Sequence, residues 1–142
     1  MTSRSAAVPP ALTSELEQQV LDFVVDYDHA FNRAAAVNGL SGAQACALNM
    51  LGDAQPMNAL AHALACDASN ATQIVARLEA RGLAVRTAGA TDRRVKHVVV
   101  TDEGRAMQAA LAKTFAFARE ALANLDEDEQ AQLGALLRKM AG

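Results

Sequence analysis

Tryptophan is absent from the chain, and only 4% of its residues are aromatic although 51% are hydrophobic. A core assembled mainly from Ala and Leu favours helices packed through small side chains, so an α-rich fold is the first expectation. No apolar run reaches the roughly eighteen residues that a membrane-spanning helix requires. The opening Met1 to Pro10 also lacks the apolar centre of a secretory signal. These absences predict a cytoplasmic protein with no membrane partner.

Cysteine occurs only as Cys46 and Cys66, in separate apolar segments and without metal-ligand spacing. No disulfide framework is expected, and the two cysteines read as unpaired thiols in a reducing compartment. The histidines His29, His62 and His97 are isolated, with no carboxylate or thiol partner at helical ligand spacing beyond what chance supplies, so no metal site is expected. Asp26 and Asp28 beside His29 read as a solvated acidic face. No Ser-His-Asp or Cys-His set, phosphate-cradling glycine loop or paired catalytic carboxylate is present. The sequence therefore predicts no enzyme, no catalytic residue and no cofactor.

A length of 142 residues suits one ordinary core. The net charge of −3 argues at first against a polyanionic ligand, but the charge is segregated. Residues 77–97 carry Arg77, Arg81, Arg86, Arg93, Arg94 and Lys96 against Glu79 and Asp92, a local +4. Residues 1–56 carry Arg4 and Arg33 against Glu15, Glu17, Asp22, Asp26, Asp28 and Asp53, a local −4. Phosphate binding follows the local patch, so a confined nucleic-acid footprint is allowed.

Residues 1–11, ending in Pro9-Pro10, read as a flexible leader. Ser14 with Glu17 forms a capping box, and Leu16, Val20, Phe23, Val24, Tyr27, Phe31 and Ala34 recur at helical spacing up to about Val37, with Gly39 as the stop. Ser41 with Gln44 caps a second helix through about Leu51. Asn58 is the expected cap of a short third helix carrying Leu60, Ala61 and Leu64, and a fourth runs from near Ser69 to Arg81, stopped by Gly82. Two short helices joined by a turn of about four residues make a helix-turn-helix. Segments 83–87 and 95–101, rich in β-branched residues, predict a hairpin wing. Thr101 then caps a fifth helix running to about Asn124, and Asp126 with Glu129 starts a sixth containing Leu133, Leu136, Leu137 and Met140.

The fold expected is mainly α with a small β-hairpin wing: a winged helix-turn-helix at about 41–101, flanked by dimerisation helices at about 12–37 and 102–141, all within one domain at 12–142. The first, fifth and sixth helices carry more apolar surface than one small winged-helix core covers, and a homodimer would bury the surplus.

In the fourth helix, Ile74, Val75 and Leu78 form the inner face, leaving Ser69, Asn70, Thr72, Gln73 and Arg77 for the outer face and the helix start. Short hydroxyl and amide side chains there suit base edges, and a cation farther along suits phosphate. The plainer reading is a solvated face that Ser69 merely caps. Asp92-Arg93-Arg94 puts two guanidinium groups at a ribbon tip, where arginine enters a narrow minor groove and Asp92 can orient one of them by a bidentate pair. The plainer reading here is a surface turn with a weak ion pair. The helix and the hairpin together favour double-stranded DNA.

From about Leu60 to Arg105 the chain resembles the MarR family of bacterial winged-helix regulators. The likeness rests on the helix-turn-helix, the Arg77-Leu78-Glu79-Ala80-Arg81-Gly82-Leu83 helix ending, and Arg86 in the first wing strand. It also rests on the Asp-x-Arg tip (Asp92, Arg94) and on Val100-Thr101 before Glu103-Gly104-Arg105. The resemblance implies an obligate homodimer gripping a pseudo-palindromic operator, with Ser69, Asn70, Thr72 and Gln73 at base edges, Arg77 and Arg86 on phosphates, and Arg93 or Arg94 in the minor groove. Repression is the usual outcome in such families. The chain departs from the family pattern at Gln73, where many relatives carry Arg, and at Ala76, where an Asp before Arg77 is usual. Base preference and the helix-to-wing tether are the properties these departures touch.

The resemblance also implies response to a small aromatic effector, for which Tyr27, His29, Phe31 and Met50 are positioned; the same residues serve equally as core. Two alternatives stay open. Cys66, in the turn of the helix-turn-helix, would make the regulator a thiol-based redox sensor if its thiol were acidic and accessible, against the plainer reading of a packed small hydrophobe. Otherwise the chain is a helical protein-interaction module whose basic hairpin docks an acidic partner without DNA.

Overall fold

Helix α1 (Glu15–Val37) opens the computed structural model, which describes residues 14–52, 54–89, 92 and 94–142. It is followed by α2 (Gly42–Met50), β1 (Gln55–Pro56), α3 (Met57–Ala63), α4 (Ala68–Ala80), β2 (Ala84–Ala88), β3 (Lys96–Val100), α5 (Asp102–Thr114), α6 (Phe117–Leu122) and α7 (Glu127–Ala141). The leader at 1–11 lies outside the described residues, as do Asp53 and, at the wing tip, Ala90, Thr91 and Arg93.

Local chemistry sets most of the boundaries. Ser14 and Glu17 exchange side-chain and backbone bonds at the start of α1. Ser41 and Gln44 do the same for α2, and Asp126 and Glu129 for α7. Thr101 caps α5 by accepting from the Gly104 N–H at 3.0 Å. In each case a side chain satisfies amides that the first helical turn leaves unpaired.

Three boundaries differ from the sequence expectation. Helix α4 begins at Ala68 and its cap is Asp67, which accepts from the Asn70 N–H at 2.7 Å; Ser69 lies inside the first turn. Asp and Ser are equally good caps, but a carboxylate also meets the positive end of the helix dipole. Helix α3 begins at Met57 behind Pro56 with no side-chain cap, and Asn58 accepts only from the adjacent Ala59 N–H. The expected fifth helix is two, α5 and α6, interrupted at Phe115 and Ala116. There the Phe115 ring meets Phe31 edge-on at 5.4 Å, and the Thr114 hydroxyl donates back to the Ala110 carbonyl while accepting from Asn38. These tertiary contacts outweigh helix propensity at a point with no Gly or Pro nearby.

The strands form an antiparallel sheet of order β1-β3-β2. The pairings Arg86 with Val98 and Ala84 with Val100 turn Val98 and Val100 into the core. Strand β1 has only two residues, too short for any sequence pattern, and its Pro56 is tolerated because the strand lies at an edge.

The chain divides into two compact units. Phe31–Phe115 contains every fully buried side chain, including Leu48, Leu60, Val75, Leu78, Val98 and Leu111. Here α3 and α4 form the helix-turn-helix and β2 and β3 the wing. Met1–Ala30 with Ala116–Gly142 forms the other unit, in which no described side chain is buried. Its contacts include Phe117 against Phe23 at 5.3 Å and against Tyr27 at 6.1 Å. On α1, Leu16, Val20, Phe23, Val24 and Tyr27 form one exposed apolar stripe, and Leu136, Leu137 and Met140 are exposed on α7.

The turn between α3 and α4 contains the only described non-glycine residue with positive φ, Ala65 at +52°. The Ala65 N–H donates to the His62 carbonyl and the Cys66 N–H to the Ala61 carbonyl, a double bond pattern that requires a left-handed residue after the helix. Alanine adopts that conformation at a cost glycine avoids. Ala65→Gly is expected to raise the unfolding free energy by about 1 kcal/mol, read from the denaturant midpoint at unchanged slope; a lowered midpoint would contradict it.

Candidate nucleic-acid interface

Helix α4 buries Ala71, Ile74, Val75 and Leu78, so the remaining side chains face away from the core. Ser69, Asn70, Gln73 and Arg77 are exposed, and none of their side chains bonds to another described residue. Asn70, Gln73 and Arg77 follow one another at helical spacing along one edge. Thr72 is half-buried and its hydroxyl proton is committed to the Ala68 carbonyl at 2.8 Å. What it offers outward is a methyl group and acceptor lone pairs.

At the wing, β2 and β3 project Arg94 and Lys96 into solvent. Asp92 accepts from the Arg94 backbone N–H at 3.0 Å, so its described bond shapes the turn where a guanidinium pair was expected. A short acidic side chain two residues upstream reaches that amide readily. Arg93, the other expected tip cation, lies outside the described residues. Gly89 lets the tip close: a Cβ there would stand 2.6 Å from the Asp92 carbonyl oxygen and 2.8 Å from Cε1 of His97. His97 keeps its ring under this turn with Nδ1 buried and unpartnered.

The last turn of α4 is held from two sides. Glu79 accepts from Nε of Arg86 at 2.6 Å and from the Arg86 backbone N–H at 3.3 Å, joining α4 to the wing. Arg86, expected on phosphate, is thus held through Nε within the protein, and Glu79 supplies the tether that Ala76 does not. Both side chains are about one-third exposed, so the pair contributes mainly geometry and little stability. On the other side, Arg81 donates to the Gly39 carbonyl at 2.6 Å and to that of Asn38 at 3.4 Å. Of the six cations in the basic segment, Arg77, Arg94 and Lys96 remain uncommitted among the described residues.

Asp67 was not singled out by sequence, and Glu79 and Arg81 entered only through the helix-ending motif and the local charge, with no contact expected of them. Glu79 and Arg86 flank the Gly82 turn at a separation of seven residues, a readable signal. The partners of Arg81 are 42 and 43 residues away and carry none.

The effector candidates fall in both units: Tyr27 and His29 in one, Phe31 and Met50 in the other. Tyr27 and Phe31 have the ring contacts given above, and Met50 packs against the buried core. Cys46 and Cys66 are free and half-buried. Among the described residues no three His, Cys, Asp or Glu side chains converge, and no helix is long and apolar enough to cross a membrane.

The MarR family model matches residues 38–95, the segment holding the helix-turn-helix and the first strand of the wing. No curated protein sequence matches the chain. A probable transcriptional regulator from Pseudomonas aeruginosa is 33% identical, with 89% of this chain and 97% of that one covered and a TM-score of 0.69. CouR from Rhodococcus jostii RHA1, solved with p-coumaroyl-CoA, is 25% identical over 94% of this chain and 96% of its own, with a TM-score of 0.73. For wild-type MarR from E. coli the identity is 22%, the coverage 92% and 99%, and the TM-score 0.77. Family model, a relative at one-third identity and the winged-helix architecture agree, and the chain belongs to the MarR family of winged-helix transcriptional regulators.

Proposed function

We propose that the chain is a ligand-responsive repressor that binds a pseudo-palindromic DNA operator as a homodimer in the cytoplasm. The observation that carries this reading is the Glu79–Arg86 link, which presents the polar edge of α4 and the basic wing as one surface. Ser69, Asn70, Thr72 and Gln73 meet base edges in the major groove and Arg77 meets phosphate, while Arg94, with Arg93, enters the minor groove. Arg86 acts chiefly through Glu79. The dimer is supported by the unit formed of Met1–Ala30 and Ala116–Gly142: with no buried described side chain and an apolar stripe on α1, it lacks a core until a second copy supplies one.

The effector is a small aromatic compound, as the p-coumaroyl-CoA bound to CouR suggests, and Tyr27, His29, Phe31 and Met50 are the side chains to test. It acts by binding one spacing of the two recognition helices more tightly than the other.

The test is binding to duplexes selected from a random pool, over a range of salt, beside the oligomeric state. Arg94→Ala is expected to lower operator affinity by about 1–3 kcal/mol and to leave the dimer intact. Unchanged affinity removes the wing from the interface, and a monomer with no attraction to duplex at low salt removes the function.

A further inference from the structure

We infer that Arg81 is a positioning residue that locks the last turn of the recognition helix to the end of α1, so that α1 sets the angle at which α4 meets DNA. Helix α1 has 23 residues and no basic side chain in its last turn, leaving the negative end of its dipole without a cation of its own. The missing cation comes from α4. Arg81, at the C-cap of α4, places its guanidinium on the Asn38 and Gly39 carbonyls, and Gly39, at φ +73°, leaves room for it. A Cβ on Gly39 would stand 3.3 Å from an Arg81 terminal nitrogen, so guanidinium and glycine occupy complementary space.

A planar guanidinium directed at two successive carbonyls restricts rotation as well as distance, which a single ammonium contact does not. Together with the Glu79–Arg86 link, it fixes the C-terminal end of α4 on both sides, while Asn70 and Gln73 at the other end stay uncommitted. Both terminal nitrogens of Arg81 are engaged on backbone oxygens, so its contribution to DNA binding is orientation and not charge.

The inference rests on the DNA-binding reading, and the test separates the two. Full-length wild type, Arg81→Met and Arg81→Lys are titrated against a pool-selected duplex and a random duplex of equal length at several salt concentrations. Amide hydrogen exchange is followed without DNA. Arg81→Met is expected to weaken binding to the selected duplex by about tenfold, the cost of roughly one mismatched base pair. Binding to the random duplex and the slope of affinity against salt should stay unchanged, and exchange at residues 38–40 and 78–82 should accelerate. Arg81→Lys recovers part of both effects and serves alone if Arg81→Met does not fold.

Equal loss on both duplexes with a shallower salt slope would make Arg81 a phosphate contact and overturn the inference, as would unaltered exchange or unaltered binding to the selected duplex. A wild type that binds neither duplex overturns the DNA reading itself, before any substitution is considered.

Discussion

Gly104→Ala is expected to destabilise the protein by about 2 kcal/mol, although glycine to alanine within a helix ordinarily stabilises. The helix-propensity gain is about 1 kcal/mol. Against it stands the place where α5 meets the sheet. Thr101 ties the end of β3 to the turn after α4, its N–H donating to the Leu83 carbonyl at 3.1 Å and its hydroxyl to the Gly82 carbonyl at 2.6 Å. One turn later Gly104 lies against the same segment. A Cβ on it would overlap the Leu83 carbonyl oxygen and stand 2.6 Å from Cγ2 of Val100.

Neither neighbour yields easily: one is backbone in a hydrogen bond, the other a β-branched side chain 5% exposed. Overpacking of this kind costs about 3 kcal/mol, so the steric effect exceeds the propensity gain. For a chain of this length the net loss lowers the melting temperature by about 7 °C, measured at matched protein concentration because the proposed dimer would link stability to concentration. An unchanged or raised melting temperature would show that α5 can move off the sheet without cost.

Gly104 also illustrates what the sequence conveyed. The Glu103-Gly104-Arg105 string was legible as part of a resemblance, but the need for glycine became visible only when α5 was laid on Leu83 and Val100. Capping boxes at Ser14, Ser41 and Asp126 were readable because both partners lie within one helical turn. The start of α4 was misplaced for a related reason. Asp67 and Ser69 are both capable caps, Ala68 is an excellent helix former, and the apolar period of Ile74, Val75 and Leu78 fits either start. What the sequence could not convey depended on distant contacts: the interruption at Phe115, the pairing of β1 with β3, and the seating of Arg81 on Gly39. The outer edge of α4 was readable residue by residue because burial of Ile74, Val75 and Leu78 determines which side chains remain outside.

That outer edge supports the second large effect. Arg77→Glu is expected to abolish operator binding at moderate salt, lowering affinity by about a hundredfold or more, while the fold survives. Arg77 is exposed one helical turn beyond Gln73, and no described residue holds its side chain. Its nearest acidic neighbour on the helix, Glu79, is already engaged by Arg86. The substitution therefore removes no internal partner, and a glutamate four residues before Arg81 adds at most about 0.3–0.5 kcal/mol to helix stability.

At the duplex the consequence is opposite. Each protomer loses a cation and places an anion against phosphate, and apposition of like charges costs several kcal/mol. A dimer that gives up one phosphate contact per protomer releases fewer counterions, so the slope of log affinity against log salt becomes shallower by about two. Arg77→Gln removes the contact without the repulsion and without offering Arg81 a new acid; it should show the same change of slope with a loss of only about tenfold. If Arg77→Glu binds the selected duplex within twofold of wild type, the polar edge of α4 does not face DNA, and the basic hairpin becomes the docking surface for an acidic protein.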